Sequence, residues 1–281
     1  MTAVVTNPDR PAGRGMELRP SPVKAAALAA GLPVVQPERA RDADFAKWLS
    51  AQRPDVATVV AYGKILPQDL LEVPRLGFVN VHFSLLPAYR GAAPVQRALM
   101  DGVQETGVSI MVLTEGMDEG PILLMKREPV GPDETSGEVG ERLSRVGAPL
   151  LVEALQGYSS GSLNPEPQQE ALASYAPKIG TAEARIDWTT GQLRVKNHVR
   201  GLAPLPAAWT EFRDLRMKVF ATVLLRQGSP GPGVVAEDGT LRVGTGDRIV
   251  EIREAQLSGK KRMTGIELAR GLRTRAGERF V

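Results

Sequence analysis

Three polar side chains of complementary chemistry stand out: Asn80 and His82 in the run V79-N-V-H-F-S-L-L-P87, and Asp118 in the turn E115-G-M-D-E-G120. An imidazole exchanges protons near neutral pH, and an amide N–H can donate to the oxyanion that develops on an attacked carbonyl. A carboxylate beside the imidazole fixes its tautomer and stabilises its cationic form. Asp118 is the best placed carboxylate, because Gly116 and Gly120 allow the backbone to bend close, with Glu115 and Glu119 as rivals. The set points to proton transfer at a carbonyl under attack. The chain has no cysteine and only two histidines, which excludes thiolate chemistry and disulfides and predicts no metal site.

Elements must hold these groups. Alternation in the run predicts a strand, and two residues apart on a strand share one face, so Asn80 and His82 stand side by side. The first half of the chain alternates strand and helix patterns, which predicts an α/β fold with a Rossmann-like, doubly wound parallel sheet; ligands of such sheets bind at strand ends. MTAVVT reads as a strand, followed by a long Pro/Gly/Arg loop to Pro22. Ser21-Pro22 supplies an N-cap and a proline at the first helical position. DVATVVAYG reads as a buried strand and VSIMVL and PILLMKREPV as two more, while Thr135-x-x-Glu138 is a capping box opening a helix through ERLSRVGAPLLVEAL.

The segment 157–177 is rich in Gly, Ser, Pro and Gln and reads as a linker between a domain at 1–156 and another at 178–281. The second begins with a helical pattern, TGQLRVKNHVRGL, and continues in short β-like pieces, which predicts a small OB-like β-barrel. Charge is split between the two: from Lys178 onward there are 19 Lys+Arg against 11 Asp+Glu, and before it 16 against 21. A basic C-terminal half suits a polyanion such as nucleic acid. No run of about 18 apolar residues is present, and the N-terminus has no apolar segment behind a basic start, so the expectation is a cytoplasmic protein with no membrane contact. A monomer is the expected state.

The segments N80-V-H-F-S-L-L-P87, Y89-R-G-A-A-P94, T106-G-V-S-I110 and G116-M-D-E-G120 resemble, in order and spacing, the core of the 10-formyltetrahydrofolate-dependent formyltransferases. P8-D-R-P-A-G-R-G15 with S21-P-V-K24, A184-R-I-D-W188, and R200-G-L-A-P-L-P-A-A-W209 are similar to the members that act on methionine carried by initiator tRNA. The resemblance implies that Asn80, His82 and Asp118 are catalytic and that Ser84, Leu85, Leu86 and Pro87 line the folate site. It also implies that 10-formyltetrahydrofolate donates the formyl group and initiator methionyl-tRNA accepts it. Arg14 matches a tRNA-contacting arginine, Arg10 belongs to the same loop, and Lys260, Lys261 and Arg262 fit contacts to an RNA backbone. The family's usual first strand, GTP-x-F-A-like turn and helix do not precede TAVVTNPDR here, which predicts a gap in the sheet. Two other readings fit these residues: a tRNA-binding protein impaired in catalysis, and a sugar-nucleotide or purine-precursor formyltransferase. Against the second stand the PAGRG loop and the basic C-terminal half.

Overall fold

The computed structural model describes residues 1–12 and 17–281. The chain divides into two compact units, one of Met1–His82, Ser109–Met125 and Pro149–Glu170, the other of Phe83–Val108, Lys126–Ala148 and Ala171–Val281.

The first unit opens with β1 (Val4–Val5), β2 (Arg10–Ala12), β3 (Glu17–Arg19), α1 (Pro22–Ala29), β4 (Val34–Val35), α2 (Ala43–Ala51), β5 (Ala57–Val59), α3 (Gln68–Leu71) and β6 (Phe78–His82). Ser21 caps α1 as its sequence predicts, its Oγ accepting from the Lys24 N–H at 3.1 Å with Pro22 in the first turn. Among the described residues, the two ends of the Arg-rich loop pair with each other. β2 and β3 form an antiparallel ribbon that sets Arg10 opposite Arg19, a local backbone pairing that apolar periodicity does not signal.

Pairing is parallel for β1 with β4 and for β5 with β6. After α4 (Pro94–Asp101), β7 (Glu105–Val112) runs against β6 and is followed in sheet order by β8 (Ile122–Pro129). Parallel pairing throughout was the expectation; an antiparallel addition at one side is an arrangement that doubly wound sheets accommodate. Among the described residues β1 pairs only with β4 and β5 only with β6, so the strands form two separate sheets. Both nonetheless feed one core. Phe45 and Leu49 of α2, Leu70 and Leu71 of α3 and Phe78 of β6 are buried together, with Val5, Val35, Ala57 and Val59 partly buried against them. The run read as a buried strand from 55 to 63 contracts to three residues, and Val60 is 53% exposed, because β5 has a neighbour on one side only.

Helix α5 (Ser136–Ser160) begins with the predicted capping box: Glu138 N–H donates to Thr135 Oγ1 at 3.3 Å, and Thr135 N–H donates to Glu138 Oε2 at 2.8 Å. It runs to Ser160, four residues into the segment read as linker.

In the second unit α6 (Gln192–Leu202) precedes β9 (Ala208–Phe212), β10 (Leu215–Gly228), β11 (Arg242–Gly244), β12 (Arg248–Leu257), β13 (Met263–Thr264) and α7 (Gly265–Leu272). The sheet is antiparallel, in the order β11-β12-β10-β9 with β13 beside β12. Bulges between Val219 and Thr222 bend the long β10. Its concave side wraps Trp188, Val195, Val199, Phe212, Met217 and Ile252, and the C-terminus closes the core by stacking Phe280 on Phe212 at 4.6 Å. Trp188, buried among them, satisfies its indole by donating to Thr210 Oγ1 at 2.9 Å.

Candidate active site

The site begins with the pleat of β6. Asn80 and His82 lie two residues apart on this strand and therefore on one face, paired with Met111 and Ser109 of β7. His82 is 6% exposed at the end of β6, where its registered strand partner is Ser109 of the antiparallel β7. Its Nδ1 lies 3.6 Å from Asp118 Oδ2, and the Asp118 side chain is 17% exposed. That is an ion-pair distance for a protonated imidazole, in surroundings where charge is poorly screened.

Asp118 reaches this position because the turn after β7 is unusually tight. Its backbone is left-handed, with φ of +53°, a conformation that Asp tolerates better than most residues. Gly120 passes so close to β7 that a Cβ there would lie 1.8 Å from the Val112 carbonyl oxygen. Gly116 is different, since a Cβ there would meet only the end of the Glu119 side chain. Of the three carboxylates that spacing left open, Glu115 and Glu119 are exposed and Asp118 faces His82.

Sequence reasoning missed Gln168. Its Nε2 donates to the carbonyls of Asp118 at 2.8 Å and Gly120 at 2.7 Å, clamping both ends of the crucial tripeptide. Beside it, Glu166 and Ile122 exchange two backbone hydrogen bonds of 2.8 Å. The supposed linker thus adds a short pairing next to β8 and a side-chain clamp on the turn.

Ser84, Leu85, Leu86 and Pro87 follow His82 in the chain and belong to the second unit. Ser84 is fully buried and donates its hydroxyl to the Ala88 carbonyl at 2.6 Å. Leu86 is 2% exposed, whereas Leu85 and Pro87 are half-buried. Arg90, 1% exposed, anchors the end of the segment through backbone bonds to Ser174 and Ala176. These four residues form a fixed and mainly apolar stretch.

The predicted RNA-contacting side chains differ in their freedom. Arg10 is exposed on β2, and Arg14 lies outside the described residues. Lys260 and Lys261 are exposed between β12 and β13. Arg262 is committed: it lies 4.0 Å from the Phe220 ring centroid and bonds Glu254 through Nε and Nη2. On the same sheet Trp209 has the Arg216 guanidinium 3.9 Å and that of Arg185 5.4 Å from its ring centre. The second histidine, His198, sits on α6 with Nε2 3.4 Å from the Ala184 carbonyl oxygen, and burial holds its pKa below the usual value. Among the described residues no group of three or more His, Cys, Asp or Glu could hold a metal, and no helix is long and apolar enough to cross a membrane.

Comparison with known proteins identifies relatives along nearly the whole chain. Residues 1–155 match the formyl transferase family and residues 178–273 the formyl transferase C-terminal domain. A methionyl-tRNA formyltransferase of Streptomyces coelicolor is 47% identical over 99% of this chain and 91% of its own length. One from Aromatoleum aromaticum is 45% identical over 99% of this chain and 88% of its own. The crystal structure of HypX from Aquifex aeolicus in complex with tetrahydrofolic acid superposes with a TM-score of 0.64 at 20% identity, covering 86% of this chain and 43% of that one, and so shares the fold. A strand-borne histidine facing a turn-borne aspartate, a fixed apolar segment after it and near-full-length identity lead to one conclusion: the chain belongs to the methionyl-tRNA formyltransferase family.

Proposed function

We propose that this chain transfers the formyl group of 10-formyltetrahydrofolate to the α-amino group of methionine esterified to initiator tRNA. The observation that carries the chemistry is the buried His82 facing Asp118 at 3.6 Å, with Asn80 on the same strand face. The neutral amine attacks the formyl carbon, and the oxyanion that forms takes hydrogen bonds from the Asn80 amide and the protonated His82. The C–N10 bond then breaks, the amine gives up a proton, and N10 of the folate receives one. Asp118 orients the imidazole and stabilises its cationic form. Direct transfer needs no nucleophilic side chain, and none is used.

Ser84, Leu85, Leu86 and Pro87 form the wall against which the folate lies, their rigidity suiting a flat apolar ring system. Arg10, Arg14, Lys260, Lys261 and Arg262 hold the tRNA through its phosphates, the first two near its acceptor end and Arg262, already paired with Glu254, contributing least. The enzyme works as a cytoplasmic monomer.

The test is formation of N-formylmethionyl-tRNA from 10-formyltetrahydrofolate and methionyl-initiator tRNA by the purified chain, with an amino-sugar nucleotide as the competing acceptor. Product on the tRNA alone is expected. Formylation of the sugar nucleotide in preference, or tight tRNA binding without transfer to either acceptor, overturns the assignment.

A further inference from the structure

The ribbon of β2 and β3 pairs with no other strand among the described residues. A two-stranded hairpin standing alone is marginal in water, so the place it holds is set by what grips its neck. That grip is polar. Asp9 lies directly before β2, and Lys24 lies in the first turn of α1, the helix that follows β3. Lys24 Nζ donates to Asp9 Oδ2 at 2.6 Å and to Gln36 Oε1 at 2.7 Å. Gln36, the residue after β4, donates its Nε2 to Asp9 Oδ1 at 2.9 Å and to the Asn7 carbonyl at 2.7 Å. Asn7 in turn donates its Nδ2 to the Tyr62 carbonyl, beyond β5, at 2.9 Å.

The groups of this network fit one another in a single arrangement. Turning the Gln36 amide over would set its NH2 against the ammonium and its oxygen against the carboxylate. Both oxygens of Asp9 are engaged, and Lys24, followed by Gln36, holds its carboxyl below the usual carboxylate range. Lys64 donates to the Pro37 and Glu38 carbonyls at 3.0 and 2.8 Å, which fixes the chain just past Gln36. The Lys24 and Asp9 side chains are 20% and 27% exposed and lie outside the apolar core of their unit. An ion pair that accessible adds little to global stability. Its effect is local: it joins the two chain ends from which the ribbon springs, 15 residues apart, and offsets part of the entropy of closing that loop.

Asn7, Gln36 and Tyr62 follow the C-terminal ends of β1, β4 and β5, and His82 ends β6, which runs parallel to β5. Ligands of doubly wound sheets bind at this edge. The ribbon carrying Arg10 is thus tied to the edge that carries the histidine.

We propose that Lys24 is a positioning residue for the acceptor substrate, locking the neck of the β2–β3 ribbon so that the ribbon meets the tRNA already in place. This rests on the proposed action on methionyl-tRNA. Lys24 touches neither substrate. If the ribbon is in place in only about a tenth of the molecules, apparent tRNA affinity falls about tenfold, while saturating tRNA draws the rest into place and leaves the chemistry intact.

Lys24→Met tests this through two readouts on the full chain. Hydrogen exchange at the backbone amides of residues 10–12 and 17–19 reports the ribbon with no substrate present, and steady-state formyl transfer reports its use. Exchange in the ribbon is expected to be about tenfold faster in the variant, with β6 exchanging as in wild type. The KM for methionyl-tRNA is expected to rise about tenfold, with kcat and the KM for 10-formyltetrahydrofolate within about twofold of wild type. Lys24→Arg, which keeps the charge and the donors, should restore most of the loss. Gln36→Leu should raise the same KM, and the double variant should do no worse than the more severe single one, as expected of residues in one network. Unchanged exchange in the ribbon overturns the lock. Faster exchange with an unchanged KM for tRNA overturns its role in placing the acceptor. A fall in kcat, or a matching rise in the KM for the folate, puts Lys24 in the chemistry and overturns the proposal as well. If Lys24→Met does not fold, Gln36→Leu is read by the same outcomes. Absence of transfer by the wild type counts against the proposed function, and the exchange result then still decides whether Lys24 locks the ribbon.

Discussion

Replacing Gly120 by alanine puts a single methyl group against the backbone that positions the carboxylate. That Cβ would start 1.8 Å from the Val112 carbonyl oxygen, and contacts under 3.0 Å are not sustained, so something must move by roughly 1.2 Å. Val112 is held by its pairing with Val79 of β6 and by its N–H donating to the Pro121 carbonyl at 2.9 Å. The turn yields instead, carrying Asp118 away from its 3.6 Å approach to His82. A misplacement of about 1 Å costs on the order of 100-fold in rate, equivalent to about 2.7 kcal/mol. Gly116→Ala is the matched control, since its Cβ meets only the Glu119 carboxylate, which can rotate away. The assay is the initial rate of formyl transfer to methionyl-tRNA at low substrate, with circular dichroism melts confirming that both variants are folded. Gly120→Ala is expected to lose about 100-fold and Gly116→Ala less than about threefold. Equal rates for the two folded variants would refute the claim that the turn's close approach sets the site.

The remaining predictions concern other parts of the same assembly. His82→Ala should abolish transfer while tRNA affinity stays within about threefold of wild type; an equal loss of binding would make His82 structural. Gln168→Ala frees the carbonyls of Asp118 and Gly120 and should lower kcat about tenfold with little change in the KM for tRNA, whereas a pure KM effect would refute the clamp. Lys260→Ala with Lys261→Ala should reduce the slope of log affinity against log salt by about 1.8, and Arg262→Ala by much less, because Glu254 already neutralises it. His198 is held neutral by burial, so the unfolded chain takes up its proton first as pH falls. The sign is therefore a loss of stability below about pH 6.5, by at most about 1.4 kcal/mol per pH unit. In urea melts His198→Gln should flatten this dependence between about pH 6.5 and 5.5, and an unchanged slope would refute it.

What the sequence reveals about this fold and site is local in origin. Ser21-Pro22 and Thr135-x-x-Glu138 announce helix starts because a cap is satisfied within four residues. The shared face of Asn80 and His82 follows from strand periodicity alone. Selection of Asp118 over Glu115 and Glu119 required the turn's three-dimensional path, namely a left-handed φ at one residue and a close approach two residues later. Gln168 carried no signal, since it lies 50 residues from Asp118 in a polar run whose composition matches a flexible connector. Helix α7 was legible and was missed. Thr264 and Glu267 form a full capping box, but Gly265 and Gly271 depress helix propensity and obscured it.

The clamp from Gln168 also sets where the chain can change length. Composition alone marks 157–177 as a stretch that tolerates insertion at the small entropic cost of a longer loop. Between Ser160, where α5 ends, and Gln168, however, the spacing is fixed at both ends, with Glu166 in register with Ile122. One residue added there moves the glutamine off its two carbonyls and shifts the pairing, so this part of the connector behaves as a gauge rather than a tether. Slack is available instead at Ala171 and Leu172, where Leu172 is 62% exposed, before the chain is fixed again by Ser174 and Ala176 at Arg90. Inserted tags, domains or evolutionary insertions belong there.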